Sequence, residues 1–270
     1  MLLIFWRRIL KNNILNNPTE ANNVKLLNRI PQIVFIYWVI KIAATTLCET
    51  VADMFSMTLN LGYGETIIIF LVLFIILLSY KIKIKKYEPI AYWLVFTSTA
   101  IVGTGISDFI DRTLGIGYTF GSILLIFLLL IILMLWYQKE KSIAVENITS
   151  TSAEIYYWIA FLIANTLGTA AGDFLSDSLG LGFLISALLI TILLVIIIFL
   201  HFYSKLSKTF LFWFAFVLTR PFGATFGDLL TKSVDKGGLN LGTIGASIFF
   251  TILLIFGLYK EVQLEKVRNL

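Results

Sequence analysis

A tryptophan and an aspartate fifteen residues apart recur four times along this chain, as Trp38 and Asp53, Trp93 and Asp108, Trp158 and Asp173, and Trp213 and Asp228. Each pair lies in an otherwise apolar stretch. A carboxylate inside a membrane segment is expensive to place. An offset held four times therefore points both to four copies of one structural unit and to the position where function is to be sought.

The apolar stretches decide the class of protein. The chain is 59% hydrophobic with a mean hydropathy of +0.91, well above the ~45–50% apolar content of soluble domains. Runs such as Ile67 to Leu78 and Ile123 to Trp136 carry no charge and are too uniformly apolar for a soluble amphipathic helix. The expected fold is all-α and integral to a membrane. One cysteine, Cys48, excludes an intrachain disulfide or a cysteine metal cage, and one histidine, His201, excludes a multi-histidine metal site. The net charge of +5 does not signal nucleic-acid binding, because the basic residues mostly flank the apolar spans.

Each repeat holds two candidate spans, over about residues 31–86, 87–141, 152–207 and 208–262. The first span starts near the Trp. A short loop follows, containing Leu-Gly-Tyr-Gly (61–64), Leu-Gly-Ile-Gly (114–117), Leu-Gly-Leu-Gly (179–182) or Leu-Asn-Leu-Gly (239–242). The second span is almost pure Ile, Leu, Phe and Val. Eight transmembrane helices result, as four parallel two-helix repeats, because an even number of spans returns each repeat to the same orientation. A longer Trp-to-Trp spacing between repeats two and three, at the polar linker Glu146 to Ser152, adds a two-plus-two organisation. Residues 1–30 read as an N-terminal interfacial segment, with Arg7, Arg8 and Lys11 behind a short apolar stretch. They do not make a good secretory signal. Residues 263–270 read as a tail.

Sixteen of the 21 basic residues fall in the N-terminal segment, the inter-repeat connectors and the tail. The opposite loops hold only Arg112, Lys232 and Lys236. The positive-inside rule then puts both termini in the cytoplasm. The Trp residues would anchor at the cytoplasmic interface, and the aspartates, about 22 Å further along each helix, would lie in the outer half.

Positions seven, eleven and fifteen after each Trp share one helix face. They read Thr45, Glu49 and Asp53; Ala100, Thr104 and Asp108; Asn165, Thr169 and Asp173; and Arg220, Ala224 and Asp228. Beside this stripe run small pairs four apart, Cys48/Ala52, Gly103/Ser107, Gly168/Gly172 and Gly223/Gly227, which let helix backbones approach closely in lipid. The expected arrangement therefore puts the four first helices inside, around a polar centre, with the second helices facing lipid. Glu49 and Arg220 are unmatched in the other repeats. If the repeats close into a ring, Arg220 can pair with Glu49 or Asp53. Pro221 favours a kink beside it and is a candidate gating element. Lys41 is expected to snorkel to the interface rather than be buried. Asp111, Arg112, Asp177, Lys232, Asp235 and Lys236 read as a solvated loop set.

The segments Cys-Glu-Thr-Val-Ala-Asp (48–53), Gly-Thr-Gly-Ile-Ser-Asp (103–108), Gly-Thr-Ala-Ala-Gly-Asp (168–173) and Thr-Arg-Pro-Phe-Gly-Ala-Thr-Phe-Gly-Asp (219–228) resemble those of a bacterial membrane-protein family built from four tandem copies of a repeat of unknown function. Each family repeat has two transmembrane regions and a characteristic tryptophan. The resemblance spans about residues 31–262 and implies the eight-helix architecture in a bacterial cytoplasmic (inner) membrane. It implies no substrate.

The expected function is that of a small transporter or channel whose path runs among the first helices. Its candidate substrate- or ion-binding residues are Glu49, Asp53, Asp108, Asp173, Arg220, Asp228, Thr45, Asn165, Thr104 and Thr169. Five acids against Arg220 and Lys41 favour a cation or a proton-coupled substrate. Glu49 and Asp53 are candidate ligands for Mg²⁺, Mn²⁺ or Ca²⁺, which prefer hard oxygen donors. Arg220 could instead clamp an anionic group on an organic substrate. The alternative is a non-transporting structural or partner-binding membrane protein whose aspartates serve helix assembly. An intramembrane enzyme ranks third, since the chain carries no recognised catalytic motif. No cofactor is expected, and the expected partners are the bilayer and a small ion or solute.

Overall fold

The computed structural model describes residues 28–145 and 148–268, and the side chains of residues 267–268 are not described. The interfacial segment expected over residues 1–30 lies almost wholly outside the described residues. Within them are eight α-helices and no strand. They are α1 (Phe35–Asp53), α2 (Tyr63–Ile84), α3 (Pro89–Asp108), α4 (Tyr118–Glu140), α5 (Thr151–Asp173), α6 (Gly182–Tyr203), α7 (Lys208–Thr231) and α8 (Thr243–Arg268). All eight are long and apolar enough to cross a membrane.

Local sequence sets the helix starts. Pro89 opens α3 at a position where its missing N–H costs nothing, and the Glu88 carboxylate accepts hydrogen bonds from the Ala91 and Ile90 amides at 2.5 and 3.3 Å. Ser150 accepts from the Ala153 amide at 2.9 Å and Ser207 from the Phe210 amide at 3.4 Å. At the far ends, α1, α3 and α5 each run on directly past the repeated Asp as one π-helical turn, Met54–Thr58, Phe109–Thr113 and Phe174–Ser178. Helix α7 does not. It stops at Thr231, and Lys232 is in extended conformation.

The loops that follow show the repeat most exactly. Asn60, Gly115, Gly180 and Asn240 all have positive φ, as do Gly62, Gly117, Gly182 and Gly242 two residues later. Repeat one therefore uses Leu59-Asn60-Leu61-Gly62, not Leu-Gly-Tyr-Gly (61–64), as the counterpart of Leu239-Asn240-Leu241-Gly242. Asn is the side chain other than Gly that best tolerates this left-handed region, which is how two different residues fill one backbone role.

The first helix of each repeat is inside. Between 56 and 78% of the spanning window is buried in α1, α3, α5 and α7, against 17 to 28% in α2, α4, α6 and α8. The inner four form a closed ring, α1 on α3, α3 on α5, α5 on α7 and α7 on α1. Each outer helix packs chiefly on the first helix of the next repeat, with α8 returning to α1. The repeats are thus interlocked rather than side by side. The ring closes through the small pairs. A side-chain carbon at Gly103 would lie 2.9 Å from Asn165 Cβ, one at Gly172 3.2 Å from Ala224 Cβ, one at Gly223 2.7 Å from Thr45 Oγ1, and one at Gly227 3.1 Å from Glu49 Cβ. At Gly168 it would fall on the side chain of Arg220. Backbones this close gain dispersion contacts across their whole length, which is the main source of helix association in lipid.

Two expectations are corrected here. The four Trp residues are not interface anchors. Trp93, Trp158 and Trp213 are buried and Trp38 is partly buried. Trp93 Nε1 donates to Glu261 at 2.6 Å and Trp213 Nε1 to the Ile143 carbonyl at 3.1 Å, so in these two both indole size and its one donor serve packing, whereas Trp158 Nε1 is buried without a hydrogen bond. Lys41 does not snorkel. It is fully buried, and its ammonium donates to the Phe216 carbonyl at 2.9 Å and Thr219 Oγ1 at 2.5 Å, with Nζ 3.9 Å from the centre of the Phe216 ring. At one turn past Trp38, its head is nearer these partners on α7 than any route to the surface.

Candidate functional site

Four-residue steps along the inner helices stack into layers down the ring axis. The first layer, one residue before each Trp, is Tyr37, Tyr92, Tyr157 and Phe212. The Tyr92 and Tyr157 hydroxyls share a hydrogen bond of 2.7 Å. The next is Lys41, Phe96, Phe161 and Phe216. Here the Phe96–Phe161 and Phe161–Phe216 ring centres lie 4.6 and 5.0 Å apart, and Lys41 Nζ sits between Phe216 and Phe96. Lys41 is thus the one cation in an otherwise aromatic layer, held partly by the ring faces. These two layers close the axis at the tryptophan end.

Above them the axis becomes polar. Thr45, Ala100, Asn165 and Arg220 form the third layer, Glu49, Thr104, Thr169 and Ala224 the fourth, and Asp53, Asp108, Asp173 and Asp228 the fifth, and all twelve are buried. The candidate residues named from sequence are therefore brought together. Arg220 reaches across the ring. Its Nη2 pairs with Glu49 Oε2 at 3.0 Å and also donates to Thr104 Oγ1, while Nη1 donates to the Thr45 carbonyl at 3.4 Å. A guanidinium on α7 thus ties α1 and α3, and of its two sequence-expected partners it takes Glu49. Pro221 lies inside α7, which continues unbroken to Thr231. Its ring is turned towards Gly168, where an added carbon would be 3.0 Å from Pro221 Cδ.

The aspartate layer is closed by two cations that the sequence reading assigned to solvated loops. Arg112 Nε lies 3.2 Å from Asp108 Oδ1 and Nη2 lies 3.3 Å from Asp173 Oδ2. Lys232 Nζ lies 2.5 Å from Asp53 Oδ2 and 3.2 Å from Asp228 Oδ1. Each cation stands four residues after the Asp of its own repeat and reaches the Asp of the next. The corresponding positions in repeats one and three are Met57 and Asp177. The fourfold layer therefore has two clasps, on opposite sides of the ring, which gives the two-plus-two organisation a physical form. Asp111 is also buried, beside Ser107, whereas Asp177, Asp235 and Lys236 are exposed as expected. The signal for the clasps was present in the sequence as a basic residue at Asp plus four in alternate repeats.

This changes the charge count. Five carboxylates face three cations, Arg112, Arg220 and Lys232, for a formal charge of −2 (five acids less three bases), with Lys41 separate below. Lys232 lies just beyond the end of α7. Burial works against its charge, but Asp228 and Asp53 outweigh that effect and hold its pKa above the ordinary lysine range. Glu49, Asp53 and Asp228 each offer an oxygen, and these oxygens all lie within 4.8 Å of one another. That is about twice a Ca²⁺–oxygen distance of ~2.4 Å, so one hard cation fits between them. Asn165 Nδ2, Thr169 Oγ1 and Arg220 Nε, all buried, make no hydrogen bond within the protein. Trp136 Nε1 and Trp158 Nε1, outside this polar column, are buried and unbonded in the same way.

The fold and this site together define an eight-helix membrane protein of four interlocked two-helix repeats around a buried charge cluster. Four successive segments, residues 36–87, 91–142, 156–207 and 211–261, match the family described as Repeat of Unknown Function (DUF347). The chain belongs to that family. No curated protein and no solved structure matches it.

Proposed function

We propose that this protein is a small membrane transporter or channel for a cation, with its path along the axis of the four inner helices. The observation that carries the reading is the composition of that axis. It runs from a layer of four carboxylates joined in pairs by Arg112 and Lys232, through a layer holding Glu49 and a layer holding Arg220, to two mainly aromatic layers that also hold Lys41. A polar column that ends on packed aromatic layers is what an axial path shut at one end requires. With the termini in the cytoplasm by the positive-inside rule, the shut end is cytoplasmic and the carboxylates face outward. The outer helices then present their exposed apolar faces to lipid.

The carboxylates are the proposed ion ligands, with Glu49, Asp53 and Asp228 central and Asp108 and Asp173 beside them. Thr45, Thr104, Asn165 and Thr169 line the column, and Pro221 adjoins the arginine that would move if the column opens. A net negative cluster of hard oxygens suits a divalent cation or a proton-coupled substrate. The assembly-only reading draws support from the same clasps, because Arg112, Lys232 and Arg220 each join neighbouring repeats. The convergence of Glu49, Asp53 and Asp228, with oxygens within 4.8 Å of one another, favours transport over it, since acids gathered this closely are costly unless a cation is shared among them.

Flux of a cation panel into proteoliposomes separates the two. Wild-type protein is expected to move at least one divalent cation, and Glu49→Gln and Asp53→Asn to slow it at least ~10-fold when folded. Wild-type flux in both folded variants would remove those acids from the path. No flux of any cation would leave the assembly reading.

A further inference from the structure

The two clasps look equivalent by position but are built differently. Arg112 lies within the π-helical turn Phe109–Thr113, so its backbone is held by helix bonds. Lys232 is the first residue off α7, with φ −69° and ψ 156°. Its amide donates to the Asp228 carbonyl at 2.9 Å and its carbonyl accepts from the Asn240 amide at 2.9 Å, so the backbone is pinned at both sides while only the ammonium holds the side chain to the site. That side chain is 16% exposed, against 4% for each of the two carboxylates it rests on. Chemistry separates them as well. A guanidinium spans two carboxylates with a rigid fork, whereas an ammonium is a compact point charge on a flexible stem. The Lys232 ammonium is in effect a single cation resting on Asp53 and Asp228. Those two carboxylates, with Glu49, form the three-oxygen group within 4.8 Å. Thr169, fully buried on α5, faces the same axis from Glu49's layer with its hydroxyl unbonded.

We infer that Lys232 is a tethered competitor for a divalent-cation site: a hard divalent cation is bound by Glu49, Asp53 and Asp228 as the Lys232 ammonium swings out toward the loop. The inference rests on the cation-transport reading for its biological sense, but the binding event is independent of flux. Three carboxylates supply more negative charge than the Arg220 guanidinium and one ammonium offset, so exchange of +1 for +2 leaves the site closer to neutral. The surplus carboxylate charge is also why the lysine is held charged and in place when no such cation competes. A resident lysine weakens apparent affinity by the fraction of molecules it occupies. Affinity is thereby kept low enough for release, as conduction or transport demands.

The test is Mn²⁺ binding to the full chain in detergent, read from the electron paramagnetic resonance of free Mn²⁺. Lys232→Gln is expected to bind about tenfold more tightly than wild type. Adding Asp228→Asn or Glu49→Gln to it should abolish the tight binding. Lys236→Gln, an equal charge loss on the exposed part of the same loop, should match wild type. Equal or weaker affinity in Lys232→Gln overturns the inference, as does the same tightening in Lys236→Gln or its survival in the double variants. If Lys232→Gln does not fold, acylation of Lys232 in the wild type decides. Mn²⁺ should speed it, and an unchanged rate overturns the proposal. Binding with no flux would sink the transport reading alone; flux without Lys232 competition would sink this inference alone.

Discussion

At the scale of single residues, the dominant fact is that the buried charges are paired across repeats. Arg220 and Glu49 are both almost fully buried and 3.0 Å apart. Breaking a buried pair by removing one partner costs about 3–5 kcal/mol, because the other is left uncompensated. Arg220→Met is therefore expected to lower thermal stability in detergent strongly, and Glu49→Gln combined with Arg220→Met to recover part of the loss. A double variant no more stable than the sum of the singles predicts would show that the pair is not coupled. Lys232 yields a pH prediction of definite sign. Its pKa is raised in the folded protein, so its contribution is complete below the ordinary lysine value of about 10.4 and is lost as pH rises beyond it. The stability gap between wild type and Lys232→Gln should be constant from neutral pH to that value and shrink above it. A gap that shrinks between neutral pH and that value would refute the assignment. The unmatched charges Glu49 and Arg220 were legible as the centre of the site because they break a repeat. Lys41 was not. Sequence shows that a lysine is one turn from an interface, but not that Phe216, Phe96 and the Thr219 hydroxyl surround its head.

At the scale of elements, the small-residue pairs set how close the inner helices come. A methyl at Gly168 has no space beside Arg220, whereas at Gly245, near the start of α8, nothing lies within 4 Å. Gly168→Ala is expected to destabilise the protein by several kcal/mol through forced separation of α5 and α7. Gly245→Ala should be neutral or stabilising by about 0.5–1 kcal/mol, since it removes backbone freedom from a helix at no steric cost. Melting curves of the two variants check this, and equal effects would contradict the packing. Helix existence and the inward stripe were readable because both follow from period and polarity alone. The extension of α1, α3 and α5 past the aspartate was not, because a π-helical turn has no strong composition signature. That extension carries Arg112 back over Asp108 and out of the solvated loop it had seemed to belong to.

At the scale of the whole molecule, four copies of one hairpin make a ring that is fourfold in backbone and twofold in charge. Arg112 and Lys232 clasp alternate joints, and Arg220 with Glu49 marks the same joint as Lys232, between repeats four and one. The interlocked outer helices make it hard to remove one repeat without opening the ring. The two-plus-two character was legible as a longer spacing between repeats two and three. Its physical meaning was not, because it depends on which carboxylates lie side by side around the axis. Membrane sidedness belongs to this scale too, since it rests on the summed charge of all the connectors.

The most direct measurement of the axial path uses Thr169→Cys in a Cys48→Ala background, reconstituted in proteoliposomes. Thr169 stands in Glu49's layer and is fully buried. A small, charged, membrane-impermeant thiol reagent applied from the aspartate side should modify Cys introduced there, be slowed by Mn²⁺, and stop cation uptake. A thiol that stays inert to the reagent from both sides, or uptake that continues at full rate after stoichiometric modification, would contradict a path along the axis.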